Sequence, residues 1–197
     1  MASLTAQWAS TARDAADTTT SRATFAIRPL TRADWPAWWR LRLRALADHP
    51  DAFAEDLNDA VTDGEGLSRE RFEALAIGGN NRIFGAVIAD GSLVGVAGVV
   101  GNDRRKMRHR MEIRSVYVAP DARGTGAGRA LIEACIGHAR RAEGVMQVHI
   151  GVAAHNHAAT RLYERCGFAR YAREPRLLLL PDGTMVDETL MVLMLDR

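Results

Sequence analysis

The chain is poor in the features that define several broad protein classes. Two cysteines in 197 residues, Cys135 and Cys166, provide neither a disulfide framework nor zinc-ligand spacing, and both sit in helix-like apolar patterns as small buried hydrophobes. Apolar runs such as Leu93–Val100 and Leu177–Leu180 fall far short of the roughly 20 residues of a membrane span. A formal net charge of +2 is too small to argue for nucleic acid. The one concentrated basic run, Arg104–Arg110, reads as a solvated loop between strands. Residues 1–23 are rich in Ala, Ser and Thr and have no apolar signal core, while Asp14 and Asp17 oppose a transit peptide. They are expected to form a mobile tail or a modest extra helix before one domain over 24–197, with the cytoplasm as compartment.

What remains is an ordinary globular composition, 47% hydrophobic and 25% charged. Its most informative stretch is Val116–Leu131: a β-branched strand, a turn at Pro120-Asp121, a glycine-rich loop and a helix start. Gly124, Gly126 and Gly128 remove side chains where the backbone turns, so amide N–H groups can converge. The helix N-terminus behind them adds unpaired donors and partial positive charge. This is an anion site suited to a pyrophosphate, with Arg123 and Arg129 bracketing it. A P-loop is excluded, since no Lys-Ser or Lys-Thr follows a glycine run. The dinucleotide fingerprint fails too, because its third glycine would fall on Arg129 or Leu131.

A second segment runs from Val148 to Phe168. Val148, Ile150 and Val152 alternate with polar residues and glycine, as a half-buried strand does. Asn156 fits a helix N-cap and Gly167 the residue past a helix end. Ala159, Leu162, Tyr163 and Cys166 share one helical face between them, and Asn156 and Tyr163 lie about two turns apart.

Arg123-Gly-Thr-Gly126-Ala-Gly128 after Val-Tyr-Val-x-Pro resembles the acetyl-CoA loop of the GNAT acetyltransferases, and Asn156…Leu162-Tyr163…Gly167-Phe168 resembles the other half of that family's cofactor site. The likeness covers roughly residues 25–195 and is specific in these two motifs. It implies an α/β fold with a mixed, mostly antiparallel sheet of six to seven strands, helices on both faces and a splayed central strand pair. It also implies acetyl-CoA as co-substrate, no metal, and direct acyl transfer to an amine through a tetrahedral intermediate. Binding is then expected from Val116, Tyr117, Val118, Arg123, Gly124, Thr125, Gly126, Ala127, Gly128, Arg129, Asn156, Ala159 and Tyr163. Glu112 is the candidate base, Tyr163 the candidate acid toward the leaving sulfur, and Asn156 a partner for the pantetheine arm or a site water. His149 and His155 are reserve bases.

The local pattern predicts strands over Thr24–Arg28, Arg82–Ala89, Leu93–Val100, Glu112–Val118, Ala169–Leu180 and Met185–Leu195. Helices are predicted from an Asp34 cap to Asp48, over Ser68–Ile77 and over Gly126–Arg141. Asp90-Gly91 and Asp182-Gly183 signal hairpins. If the fourth strand is regular, Glu112, Arg114, Val116 and Val118 share a face; a bulge, as the family carries there, would break that register.

The resemblance places the acceptor among the first two helices and the last hairpin, where Trp35, Trp38, Trp39, Phe53, Glu55, Asp56, Asp187 and Glu188 offer aromatic and acidic groups for a cationic amine. The expected acceptor is a small primary amine, with a protein N-terminus or lysine as one alternative and a non-catalytic acyl-CoA-binding module as another. Neither nucleic acid nor membrane is an expected partner, and the protein is expected to be a monomer or homodimer.

Overall fold

The computed structural model describes residues 24–195; the predicted extension over 1–23 lies outside the described residues. Seven strands form one sheet: β1 (Phe25–Pro29), β2 (Arg82–Ile88), β3 (Leu93–Gly101), β4 (Arg110–Val118), β5 (Gln147–Ala153), β6 (Ala169–Leu179) and β7 (Met185–Met194). Their order is β1-β2-β3-β4-β5-β7-β6. Every pair is antiparallel except β4–β5, so that pair alone needs a long crossover. The crossover is helix α3 (Ala127–Arg141), preceded by the glycine loop.

Helix α3 forms because its apolar residues repeat at helical spacing. Leu131, Ile132, Cys135, Ile136 and Ala139 are all buried on one stripe, and His138, Arg140 and Arg141 complement the dipole in its last turn. Together with α4 (His157–Arg165) it covers one face of the sheet, over Val99, Met111, Ile113, Val148 and Ile150. The other face carries α1 (Trp35–Asp48) and α2 (Leu57–Ile77) around Leu30, Phe72, Val96 and Tyr117. The expected fold class, helices on both faces of a mixed sheet, is the one observed.

Differences from the expected elements have physical causes. Helix α2 starts at Leu57, well before Ser68, because Asp56 accepts the Asn58 N–H at 2.7 Å and nucleates a turn. Gly64, at φ 75°, kinks it, and that weak helix former hid the first segment from periodicity. Asp34 precedes α1 but does not cap it. Its carboxylate accepts from Thr31 N (2.8 Å), Thr31 Oγ1 (3.0 Å) and Arg28 Nη1 (2.9 Å) instead. The Arg28 bonds hold its pKa well below the usual carboxylate range. Both hairpins form where Asp-Gly predicts, with Asp90 accepting from Ser92 N and Asp182 from Thr184 N.

Strand β4 is irregular. Between its pairs Val96↔Tyr117 and Gly98↔Arg114 it carries one residue more than β3, and Ser115 there has φ 53°. This is a β-bulge. Met111 and Ile113 face α3 before it, while Val116 and Val118 pack on that same core after it and Tyr117 turns to the opposite one. The regular register, with Glu112, Arg114, Val116 and Val118 on one face, is therefore broken between Arg114 and Val116.

Candidate active site

Two cavities meet where β4 and β5 part. Their pairing ends at Ile113↔Ile150, although β4 runs on to Val118 and β5 to Ala153. Beyond that point the facing edges have no strand partner. A cleft of about 620 Å³ fills the gap and extends to the glycine loop. The splayed central pair is thus present, and the bulge turns β4 away at the same place.

At one end of the cleft, Gly124 (φ 76°) and Gly126 (φ 97°) take left-handed conformations that other residues adopt only at a cost of roughly 1–2 kcal/mol. A Cβ at either position would meet nothing within 4 Å, so conformation rather than space demands glycine. The first bond of α3 runs from Ala130 N to the Gly126 carbonyl. The Gly128 and Arg129 N–H groups precede it, free of the helical ladder and ready for an anion. A Cβ on Gly128 would lie 3.4 Å from Leu162 Cδ2, which reflects how closely α3 and α4 approach.

Around this loop the cleft is lined by Arg123, Arg129 and Arg165, with Arg114 at its other end, and by no carboxylate among the described residues. Arg123 is fixed in place: its Nε donates to the Val118 carbonyl (3.1 Å) and its Nη2 to His49 Nε2 (2.7 Å). Arg129 donates to Glu133 at 2.7 Å, one turn along α3. Thr125 and Ala127 do not line the cleft. The Thr125 hydroxyl donates to the Ala122 carbonyl (2.7 Å), and Ala127 is buried. Their place in the loop is to shape it.

The middle of the cleft is walled by Val116, Tyr117 and Val118 on one side and by Asn156, Ala159, Leu162 and Tyr163 on the other. Asn156 Oδ1 accepts from Ala159 N (3.0 Å), so it caps α4 while lining the cleft. Tyr163 is 5% exposed; burial pushes its phenol pKa up, which keeps it a proton donor. No hydrogen bond to that hydroxyl exists among the described residues. Tyr117 points elsewhere. Its hydroxyl donates to Asp48 (2.6 Å), and burial with that carboxylate raises its pKa to about 12.

The second cavity, about 250 Å³, opens on the α1–α2 face and shares Arg114, Ile150 and Gly151 with the first. Glu112 lines it and is bound to Arg114 at 2.6 Å. His149 lines it as well, with its pKa lowered by burial first and by Arg110 second. His155 lies outside both cavities and meets Asp51 at 2.6 Å.

The proposed acceptor residues divide. Trp35, Trp38 and Trp39 line neither cavity: they stack on one another and on Phe72 in the core, with Trp35–Trp39 centroids 5.3 Å apart. Glu55 pairs with Arg42 and Arg71, Asp56 caps α2, and Asp187 accepts from Arg173 and from Arg176 N. Phe53 lines the cleft and Glu188 the smaller cavity. Sequence reasoning missed Arg110, Tyr171 and Leu190, which line that cavity, and the bulge residue Ser115; each is unremarkable in the linear pattern. No group of side chains among the described residues is arranged to hold a metal ion, and no helix among them is long and apolar enough to cross a membrane.

A mixed sheet split at its parallel β4–β5 pair, with a glycine loop and a helix N-terminus closing the split, defines an α/β protein with a deep cleft between its two halves. The family model described as the acetyltransferase (GNAT) family matches residues 35–168, and the chain belongs to that family. It is 35% identical over 161 residues to a mycothiol acetyltransferase of Nocardiopsis dassonvillei, covering 74% of this chain and 42% of that protein. Against the mycothiol acetyltransferase of Thermobispora bispora it is 33% identical over 145 residues, with 70% and 44% covered. The chain spans less than half the length of these curated relatives. Among solved structures, a GCN5-related N-acetyltransferase from Kribbella flavida matches with a TM-score of 0.73 at 28% identity, over 87% of this chain and 98% of that one. A Salmonella typhimurium protein solved with its cofactor acetyl-CoA matches with a TM-score of 0.71 at 28% identity, over 88% and 95%.

Proposed function

We propose that this chain is an N-acetyltransferase that moves an acetyl group from acetyl-CoA to a primary amine of a small molecule. The observation that carries the reading is the acid-free cleft with four arginines, running from the glycine loop to the parting of β4 and β5. Its length and charge fit a pyrophosphate at one end and an extended arm along a free strand edge, as an added strand would lie. The name of the relative solved with acetyl-CoA and the names of the mycothiol acetyltransferases support the same chemistry.

In this reading Gly124, Gly126, Gly128 and Arg129 offer backbone donors to the pyrophosphate, and Arg123 adds charge. Val116–Val118 offer main-chain groups to the arm, with one amide as the oxyanion donor. Acetyl-CoA supplies an electrophilic thioester carbonyl. A lysine-like ammonium, with reference pKa about 10.4, is mostly protonated at neutral pH. Glu112 takes its proton, directly or through water, and the amine nitrogen becomes nucleophilic. Tyr163, kept protonated by burial, gives its proton to the departing sulfur.

The smaller cavity, about 250 Å³ and adjoining the cleft at Gly151, favours a compact acceptor over a peptide. Release of free CoA thiol from acetyl-CoA, screened against amines, amino acids and short peptides, tests the reading. Acceptor-dependent release is expected for small amines. Tight acetyl-CoA binding with no release for any acceptor would replace the enzyme with a binding module.

A further inference from the structure

The smaller cavity holds two charged side chains that have no ion-pair partner among the described residues. Arg110 lines it and meets only a ring nitrogen, His149 Nδ1, at 3.3 Å. Because an arginine only donates, Nδ1 must be the acceptor, so His149 is neutral and carries its proton on Nε2. Among the described residues Arg110 has no ion-pair partner, since Glu112, two residues along β4, is taken by Arg114.

Glu188 is the opposite case. Its carboxylate lies directly over Gly151, where a Cβ would stand only 2.2 Å from Oε1, and it has no hydrogen-bond or ion-pair partner among the described residues. Glu174 stands opposite it in the β6–β7 register, and like charges placed so oppose folding. Burial, Glu174 and Glu112 all raise the Glu188 pKa. The remaining charges in the cavity, Glu112 and Arg114, cancel as an ion pair at 2.6 Å.

Resting on the acetyltransferase reading, we propose that the acceptor is a free α-amino acid, its ammonium held by Glu188 and its carboxylate by Arg110. The spacing suits one. Arg110 contacts the ring of His149 and Glu188 lies over Gly151, positions two apart on one strand face whose Cα atoms stand roughly 7 Å apart. An ammonium and a carboxylate carried on a single carbon bridge such a span with one hydrogen bond of about 2.8 Å at each end. Glu188 is also the charge nearer the donor, since Gly151 beneath it belongs to both cavities. The amine is thereby presented at the parting of β4 and β5. Met107, Tyr171 and Leu190 complete the wall and suit a side chain of modest apolar size.

The test compares free amino acids with their carboxamides and their decarboxylated amines, with acetylated product read by mass spectrometry. The free acids should exceed both analogues by at least tenfold in kcat/KM. Arg110→Gln should raise KM for the acids at least tenfold and erase that preference while acetyl-CoA affinity stays unchanged, and Arg110→Lys should restore part of it. Amides or amines that serve the wild-type protein as well as the acids would overturn the proposal and leave the acetyltransferase standing. Acetyl transfer to no member of the panel would remove both.

Discussion

Gly151→Ala separates the seat of Glu188 from the stability of the fold. Gly151 lies outside the left-handed region, so alanine fits its backbone. The added Cβ would stand 2.2 Å from Glu188 Oε1 and 2.4 Å from Cδ, against an ordinary contact of at least 3.4 Å. The carboxylate must withdraw by about 1 Å, and it can, because it is the free end of a flexible side chain. Stability should therefore change little, or rise by the few tenths of a kcal/mol that removing a strand glycine contributes. Misplacing a group that positions substrate by that distance costs up to about 100-fold in rate. We expect kcat/KM for the acceptor to fall about 10- to 100-fold, or about 1.4–2.7 kcal/mol, with thermal midpoint and acetyl-CoA affinity unchanged. Initial rates at varied acceptor, beside calorimetric titration with acetyl-CoA, read both quantities. Wild-type acceptor kinetics in Gly151→Ala would refute the role given to Glu188.

Further perturbations probe the remaining parts. Gly126→Glu should abolish acetyl-CoA binding by placing a bulky anion in the phosphate cradle, and calorimetry showing unaltered affinity would remove that assignment. Tyr163→Phe should cut turnover by about 10²–10⁴, the usual reach of general acid catalysis. Its stability should hold, because the lost hydroxyl has no partner; a full-rate variant would make Tyr163 a packing residue only. Glu188 faces Glu112 and Glu174, with the Arg114 pair, Arg110 and His149 on the same cavity. Burial and its two carboxylate neighbours raise its pKa, so acceptor KM should climb as pH falls and Glu188 takes up its proton. In Glu188→Gln that dependence should vanish from the KM profile. A carboxylate with a raised folded pKa disfavours folding once ionised, so Glu188→Gln should also be the more stable protein at neutral pH, with the difference closing at acid pH. Asp34 has the opposite sign. Its lowered pKa stabilises the fold above the ordinary Asp value and is lost as pH falls, so Asp34→Ala should cost about 1–3 kcal/mol at pH 7 in denaturant melts and converge with wild type in acid.

The glycine-loop end of the cleft was legible because backbone geometry shapes it. Glycines at Gly124 and Gly126, a helix start after them and Asn156 capping α4 all leave marks in local spacing. The strands and both Asp-Gly hairpins were legible for the same reason. The smaller cavity depends on which side chains meet across strands far apart in sequence. Arg110, His149 and Glu188 converge only through the order β4-β5-β7, which no local pattern encodes. The tryptophans misled because an aromatic wall and an aromatic core share one composition, and only α2 packing over Phe72 decides between them. Ser115 gives no sign of its φ of 53°, since the bulge arises from pairing with β3.

The parting of β4 and β5 has a mechanical side. Strands β1 to β4 form one plate and β5, β7 and β6 another, joined through only four residue pairs, Arg110↔Gln147 to Ile113↔Ile150. Beyond Ile113 the plates diverge like the covers of a half-open book whose spine is that short ladder. In the acetyl-CoA reading proposed above, a ligand arm along the exposed edges would supply the rungs the chain omits. Glu188 and Tyr163 stand on the far cover, Glu112 and the glycine loop on the near one. The proposed base Glu112 and the proposed acid Tyr163 thus stand on opposite covers, joined through that short spine.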